Sequence, residues 1–188
     1  PGLGVPSVLA RIPMGGGAPR EILEGVITAD WSPGERGGSN TESIAVVRMA
    51  EGRQRLEFPI GHVLHEPSGF VYRIRVSRSG SHIAFAEHPM INDTRGDVCV
   101  VDLNGNKKTL STGWEDVGWL AWSPDGREIW FSAAKGGVDH RLYAVTLDGR
   151  LRRLLSGAGS LRLQDVSSDG RVLIAQTTIR PSITVRVP

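Results

Sequence analysis

Three features of this sequence predict an all-β fold built from a repeated four-stranded unit. A motif returns about every 45 residues, short runs rich in β-branched and aromatic residues follow each copy, and glycine-containing tight turns join the runs. The motif is clearest in residues 120–134, LAWSPDGREIWFSAA, where two apolar runs flank Ser-Pro-Asp-Gly. Aligned on the residue before its serine, the copies are DWSPGE from Asp30, RVSRSG from Arg75, AWSPDG from Ala121 and DVSSDG from Asp165. Their anchors Trp31, Val76, Trp122 and Val166 are 45, 46 and 44 residues apart. Four antiparallel strands recurring at that period are the arithmetic of a β-propeller blade. One such sheet cannot bury its own faces, so the blades must pack against one another around an axis. A β-sandwich would not require four copies of one motif.

Each unit follows from local chemistry. In residues 1–25, SVLARIPMGGGAPREILEG has the plan of a third strand, a glycine turn and a fourth strand, as in RLYAVTLDGRLRRLLSG later in the chain. The chain is therefore expected to begin in mid-blade. Unit 26–68 carries the anchor Trp31, a second run IAVVR from Ile44 and a third, RLEFPI, from Arg55. Its connection over residues 32–43, SPGERGGSNTES, is rich in Gly and Ser and is expected to be mobile, on the face opposite the loops discussed below. Unit 69–114 offers HIAFAE from His82, DVCVVDL from Asp97 and, after Asn104-Gly105, KKTLS. Unit 115–159 offers EIWFSA from Glu128, RLYAVTL from Arg141 and, after Asp148-Gly149, LRRLL. The Asn-Gly and Asp-Gly pairs supply the positive φ of tight hairpins. Unit 160–188 holds VLIAQ from Val172 and SITVRV from Ser182, then stops in mid-blade. Residues 1–188 thus read as one propeller domain or part of one. The terminal halves could complete each other in a ring of four, but most propellers have more blades, which favours a piece of a larger one. No stretch sustains a 3.6-residue period, so helix should be nearly absent.

Composition narrows the function classes. With 39% hydrophobic and 22% charged residues in 188, the chain falls in the globular class and has no apolar run of the length a membrane helix needs. The formal net charge is +2, and all but Lys107, Lys108 and Lys135 of the 22 basic residues are arginines scattered along the sequence. That scatter argues against a nucleic-acid partner, which calls for a clustered basic patch. The N-terminal stretch lacks the charged and apolar regions of a signal peptide. Cys99, the one cysteine, lies in an apolar run and reads as a small buried hydrophobe.

The motifs that suggest chemistry have structural explanations. Ser123 is not in a G-x-S-x-G elbow, and Pro124, Asp125 and Gly126 are turn formers, so Ser123 reads as a turn residue. The five histidines, His62, His65, His82, His88 and His140, lack HExxH or Cys/His ligand spacing and read as surface or loop residues. Asp93, Asp97 and Asp102 lack the glycine and terminal glutamate of a calcium loop. Asn92-Asp93-Thr94 matches a glycosylation tripeptide of a kind common by chance. Neither metal nor cofactor is expected. Trp31, Trp119, Trp122 and Trp130 are expected in the core between blades.

The repeat W-S-P-D-G, I-x-F-S, L-Y-x-V-x-L-D-G and R-x-L, best matched by residues 119–155, resembles the WD-like propeller repeat of bacterial TolB proteins and of prolyl oligopeptidase-type peptidases. LARIPMGGGAPREILEGVITADWSPG, RLEFPIGHVLHE and GDVCVVDLNGNKKTLSTGW are also similar to propeller regions at the C-termini of acidobacterial serine/threonine protein kinases. The kinase motifs themselves are missing from this chain. The resemblance implies a non-catalytic sensor or binding module of a larger bacterial protein, periplasmic or extracellular if that parent is a membrane-anchored kinase. The rival it leaves open is the propeller of a hydrolase or a peptidase gating domain.

Blade geometry then selects a surface. The second-to-third-strand connections EHPMINDTRGD and SAAKGGVDHR should share one face with the fourth-to-first-strand connection STGWEDVG. Loops on a rigid scaffold commonly carry recognition. His88, Asn92, Asp93, Arg95, Trp114, Asp139, His140 and Arg141 are therefore the candidate residues for a protein, peptide or small-molecule ligand. Exposed edge strands of a partial propeller offer self-association as a further possibility.

Overall fold

The computed structural model describes residues 4–32, 43–137 and 139–178, and these residues form antiparallel strands and no α-helix. β1 (Ser7–Arg11) forms a hairpin with the first half of β2 (Arg20–Trp31). The second half of β2 opens a run completed by β3 (Ile44–Ala50), β4 (Arg53–Glu57) and β5 (Val63–His65), paired in chain order. β6 (Phe70–Val76), β7 (His82–His88), β8 (Gly96–Asp102) and β9 (Lys107–Trp114) form a four-stranded sheet. So do β10 (Asp116–Trp122), β11 (Glu128–Ala134), β12 (Arg141–Thr146) and β13 (Leu151–Leu155). β14 (Ser160–Val166) and β15 (Val172–Thr177) pair at the end of the described chain. β5 is an element the sequence reading missed, because three residues after a proline turn leave too short a pattern to see. The long connection's residues 33–42 and the SITVRV run lie outside the described residues.

The repeated turn motif closes each first hairpin in the same way. Ser123 N–H donates to Glu128 O at 2.9 Å and Gly126 N–H to Ser123 O at 2.9 Å. The Ser123 hydroxyl donates to Asp125 Oδ1 at 2.6 Å and accepts the N–H groups of Arg127 and Glu128 at 3.1 and 3.0 Å. A hydroxyl so occupied builds a turn, as the motif chemistry predicts. Gly126 takes φ +71°, the left-handed conformation that only glycine adopts without strain.

The sheets stack through their apolar faces. Leu56 and Leu64 of the first unit meet Val71, Ile74, Phe85 and Cys99 of the second. The opposite face of that second sheet, Ala84, Ala86, Val98 and Val100, meets Trp122, Ile129 and Phe131 of the third. Leu142 of the third packs on Leu161 and Leu163 of the fourth. This is the two-residue alternation of a sheet buried on both sides: Phe85 faces one neighbour while Ala84 and Ala86 face the other.

The first strands pack side by side, β2 on β6, β6 on β10 and β10 on β14. A first strand has one free edge, and a free edge presents unpaired N–H and C=O groups. Residues of the preceding unit satisfy them. The Gln54 amide accepts from Val71 N–H at 2.6 Å and donates to Val71 O at 3.0 Å. Asp30 Oδ2 takes Val76 N–H at 2.8 Å, Thr94 O takes Val117 N–H at 3.0 Å, and Ser132 Oγ takes Leu163 N–H at 2.7 Å. Arg78 stands where the best motif copy has proline. Its guanidinium donates to Val166 O at 3.1 Å and reaches Ser123 O at 3.5 Å, tying one unit's turn to the next two.

Candidate functional site

Every first strand is bulged near its midpoint. The register slips between Val26 and Thr28 in β2, Val71 and Ile74 in β6, Gly118 and Leu120 in β10, and Leu163 and Asp165 in β14. A bulged residue leaves the alternating pattern and its side chain is re-aimed. The residues released are Ile27, Tyr72 with Arg73, Trp119, and Gln164. Trp119 has φ +46°, a conformation that strains a bulky side chain by about 1–3 kcal/mol and persists only where the surroundings enforce it.

Tyr72, Arg73 and Trp119 form a common wall between two recesses, each of about 150 Å³. One is bounded further by Thr28, Arg75, Leu163 and Gln164. The other is bounded by His88, Asn92, Asp93 and Asp116. The guanidinium carbons of Arg73 and Arg162 lie 5.0 and 4.7 Å from the Trp119 ring centroid, within cation–π range. Burial, followed by the charges of Arg75 and Arg162, draws the Arg73 pKa below its ordinary value. Arg75 Nη1 stands 4.0 Å from Asp30 Oδ1. Burial raises the Asp30 pKa against the opposing pull of Val76 N–H and Arg75.

The loop between β7 and β8 sits above the second recess and is tied down along its length. Asn92, at φ +63°, donates its N–H to the Tyr72 hydroxyl. Asp93 receives the Arg95 guanidinium through Oδ1 at 3.1 Å and Oδ2 at 2.6 Å, and these bonds hold its carboxyl down at about 2. His88 Nδ1 lies 2.9 Å from Arg95 O and its ring centroid 5.0 Å from that of Tyr72. Burial lowers the His88 pKa, so the ring favours its neutral form. The Thr94 hydroxyl donates to Glu115 O at 3.2 Å, and the Glu115 carboxylate takes Gly136 N–H at 2.9 Å. The two second-to-third-strand loops and the connection between them therefore meet on one face. A groove of about 680 Å³ runs beside them, lined by Gly69, Glu87, His88, Arg95, Lys107 and Trp114.

Ser160, His140 and Asp116 have the composition of a hydrolytic triad. Ser160 Oγ lies 2.8 Å from His140 Nδ1 and accepts the His140 N–H at 3.2 Å. Nε2 lies 3.2 Å from Asp116 Oδ1 without the alignment of a hydrogen bond. The ring is reversed relative to a triad, in which Nε2 faces the serine, and both His140 and Ser160 are buried. The arrangement latches the third unit to the fourth, with His140 O accepting Leu161 N–H at 3.0 Å.

The sequence-predicted residues thus have different settings. Asn92, Asp93 and Arg95 belong to the loop, and Asp139 and Arg141 stand 3.9 Å apart beside it, with Arg141 donating to Gly159 O at 2.9 Å. Trp114 is in the core, 3% exposed, with Nε1 donating to Ser111 Oγ at 3.0 Å and its ring on Phe131 and Tyr143. His88 and His140, expected as surface or loop histidines, are 5% and 3% exposed because each closes a contact between a strand end and its neighbour. Of the four tryptophans expected in the core, Trp122 is buried there, whereas Trp31 is more than half exposed and Trp119 is half-buried with two arginines at its ring. Tyr72, Arg73, Arg162 and Gln164 escaped the sequence reading, which placed Trp119 only in the core. Their one sequence signal is a broken two-residue alternation in each first strand. Among the described residues no three His, Cys, Asp or Glu side chains gather in a metal-binding group.

Four-stranded antiparallel blades stacked by their faces around bulged first strands make this fold a β-propeller. The fold is similar to that of TolB proteins. The TolB of Acinetobacter baumannii superimposes with a TM-score of 0.70 at 18% identity over 91% of this chain. A putative TolB from Agrobacterium tumefaciens gives 0.56 at 18% over 85%, and a puromycin hydrolase mutant 0.58 at 19% over 89%. The chain spans 43%, 57% and 32% of those three proteins, and at such identity the likeness is one of fold. No protein-family model and no curated protein sequence matches the chain.

Proposed function

We propose that the chain is a non-catalytic binding module of a larger bacterial protein, presenting one rigid propeller face to a protein or peptide. The observation that carries this reading is the tip of the β7–β8 loop. Met90 and Ile91 are 60% and 51% exposed although the residues on either side are tied down by His88, Tyr72, Asp93 and Glu115. A stiffened loop that holds two adjacent apolar side chains in water loses little conformational entropy on docking. The neighbouring groove would take the polar part of the same partner, or a small ligand.

The resemblance read from the sequence to propeller regions of acidobacterial kinases would make the parent a serine/threonine kinase, in which partner docking on this face would regulate the enzyme. A hydrolase reading draws no support from Ser160, which is spent on the blade latch. The test is photo-crosslinking from position 89 in an extract of the source organism, comparing the wild type with a Met90→Asp, Ile91→Asp double variant of equal urea midpoint. Loss of the wild-type adduct in the variant is expected, and equal capture refutes the docking face. Turnover of ester or peptide substrates that Ser160→Ala abolishes would overturn the non-catalytic reading.

A further inference from the structure

The inner cleft holds positive charge that its surroundings do not neutralise. Among the described residues, Arg73 and Arg162 have no carboxylate within 4.0 Å and no hydrogen-bond partner for their guanidinium groups. Arg75 is offset by Asp30, which leaves the other two cations gathered at Trp119. A guanidinium does not shed its charge, and its five N–H groups point in a planar fork suited to two oxygens of a carboxylate or phosphate. Arg73 is half-buried, so water meets those donors only in part. The ring that both cations approach belongs to Trp119, the bulky residue held at positive φ. Strain and unmet donors at one place, in a fold that satisfies its other strand edges with care, mark a site kept for a ligand rather than for stability.

We propose that the recess beside Arg73 and Trp119 binds an oxyanion, a phosphate or carboxylate group, held by the Arg73 guanidinium, with Arg162 on the same Trp119 ring adding positive charge. Trp119 holds both cations in place through its ring. The recess of about 150 Å³ that Arg73 and Trp119 line takes such a group and little more, being below the roughly 300–1,000 Å³ of sites for drug-sized molecules, and Arg162 stands at the same Trp119 ring. Thr28 and Gln164 on the same wall supply hydroxyl and amide donors for the remaining oxygens. Asp30 sits on the Arg75 side and directs an anion toward Arg73 and Arg162.

This site uses first-strand side chains, not the loop tip, so it stands apart from the docking face. The purified chain is titrated with inorganic phosphate and, separately, with acetate, at constant ionic strength set by sodium chloride. Arginine Nε–Hε NMR signals and tryptophan fluorescence report binding. A saturable shift of two arginine signals is expected, and the anion that saturates at lower concentration identifies the preferred group. Arg162→Met, at an exposed position, weakens the response at least tenfold, whereas Arg153→Met on β13 leaves it unchanged. Arg73→Met abolishes it and raises the urea midpoint in anion-free buffer, because an unneutralised cation has been removed. The proposal is overturned if neither anion gives a saturable change, or if Arg162→Met responds like the wild type. Anion binding that survives the loop-tip substitutions while partner capture is lost, or the reverse, separates the failure of one site from that of the other.

Discussion

Gln54→Met removes a clasp between the first two blades while keeping side-chain length and volume close to the original. Gln54 is buried on β4, and its amide makes both hydrogen bonds to the main chain of Val71, a residue with no solvent exposure. Methionine can make neither, so a buried N–H and a buried C=O lose their partners together. Each orphaned group costs about 1–3 kcal/mol, and burial of the less polar side chain returns about 1 kcal/mol. The expected net loss is about 1–5 kcal/mol. Equilibrium urea unfolding followed by tryptophan fluorescence should show a lower midpoint with an unchanged slope. Gln176→Met is the control, since that amide donates to Ala158 O at 2.6 Å in an exposed setting and should change stability by less than about 0.5 kcal/mol. A Gln54→Met midpoint equal to the wild type's would refute the idea that side chains of one blade satisfy the inner edge of the next. Val71 directly precedes Tyr72 and Arg73, so the same variant should also loosen the cleft.

Three further outcomes test the packing and electrostatics. Burial pushes the Glu87 carboxyl up, but His65 at 3.5 Å and the Lys107 ammonium outweigh it and lower the pKa from 4.5 to about 2. The depressed pKa contributes on the order of 2–3 kcal/mol above pH 4.5, lost as pH falls from 4.5 toward 2; Glu87→Gln should flatten that acid limb of the stability profile, and an unchanged limb would count against the assignment. Burial lifts the Cys99 thiol to about 11, so iodoacetamide at pH 7.5 should label native protein at least a hundredfold more slowly than protein in guanidinium chloride, with equal rates contradicting the buried setting. Trp114→Ala should cost about 3–5 kcal/mol in urea unfolding, as expected of a core tryptophan; a loss below 1 kcal/mol would return Trp114 to the loop surface.

The legible and illegible parts of the molecule divide by the range of the forces involved. The runs at Ile44, His82, Glu128 and Val172 were visible as strands because β-branched enrichment and alternation are local signals. Loop geography followed from strand order, and the contacts of Thr94 and Gly136 with Glu115 agree with it. Histidines and tryptophans were harder. His88 and His140 stand at strand ends, where sequence suggests water, and their burial depends on which blade closes over them. Trp119 has the composition of a core residue, but a one-residue slip in pairing with β11 changes the side its ring faces.

By itself, then, the sequence determined the all-β class, the repeat near 45 residues, the hairpin turns and the face on which the loops gather. Those depend on backbone preferences and on counting strands. Tertiary structure alone decided which residues meet at the inner cleft. Arg73, Trp119 and Arg162 come from three different units, some 45 residues apart, and no local pattern links them. Bulges released Arg73 and Trp119 from the alternation, and the side-by-side packing of β6, β10 and β14 brought two cations to one ring. A contact of that kind is set by the stacking of blades, which buries far more surface than any one side chain and so dictates where each of them must stand.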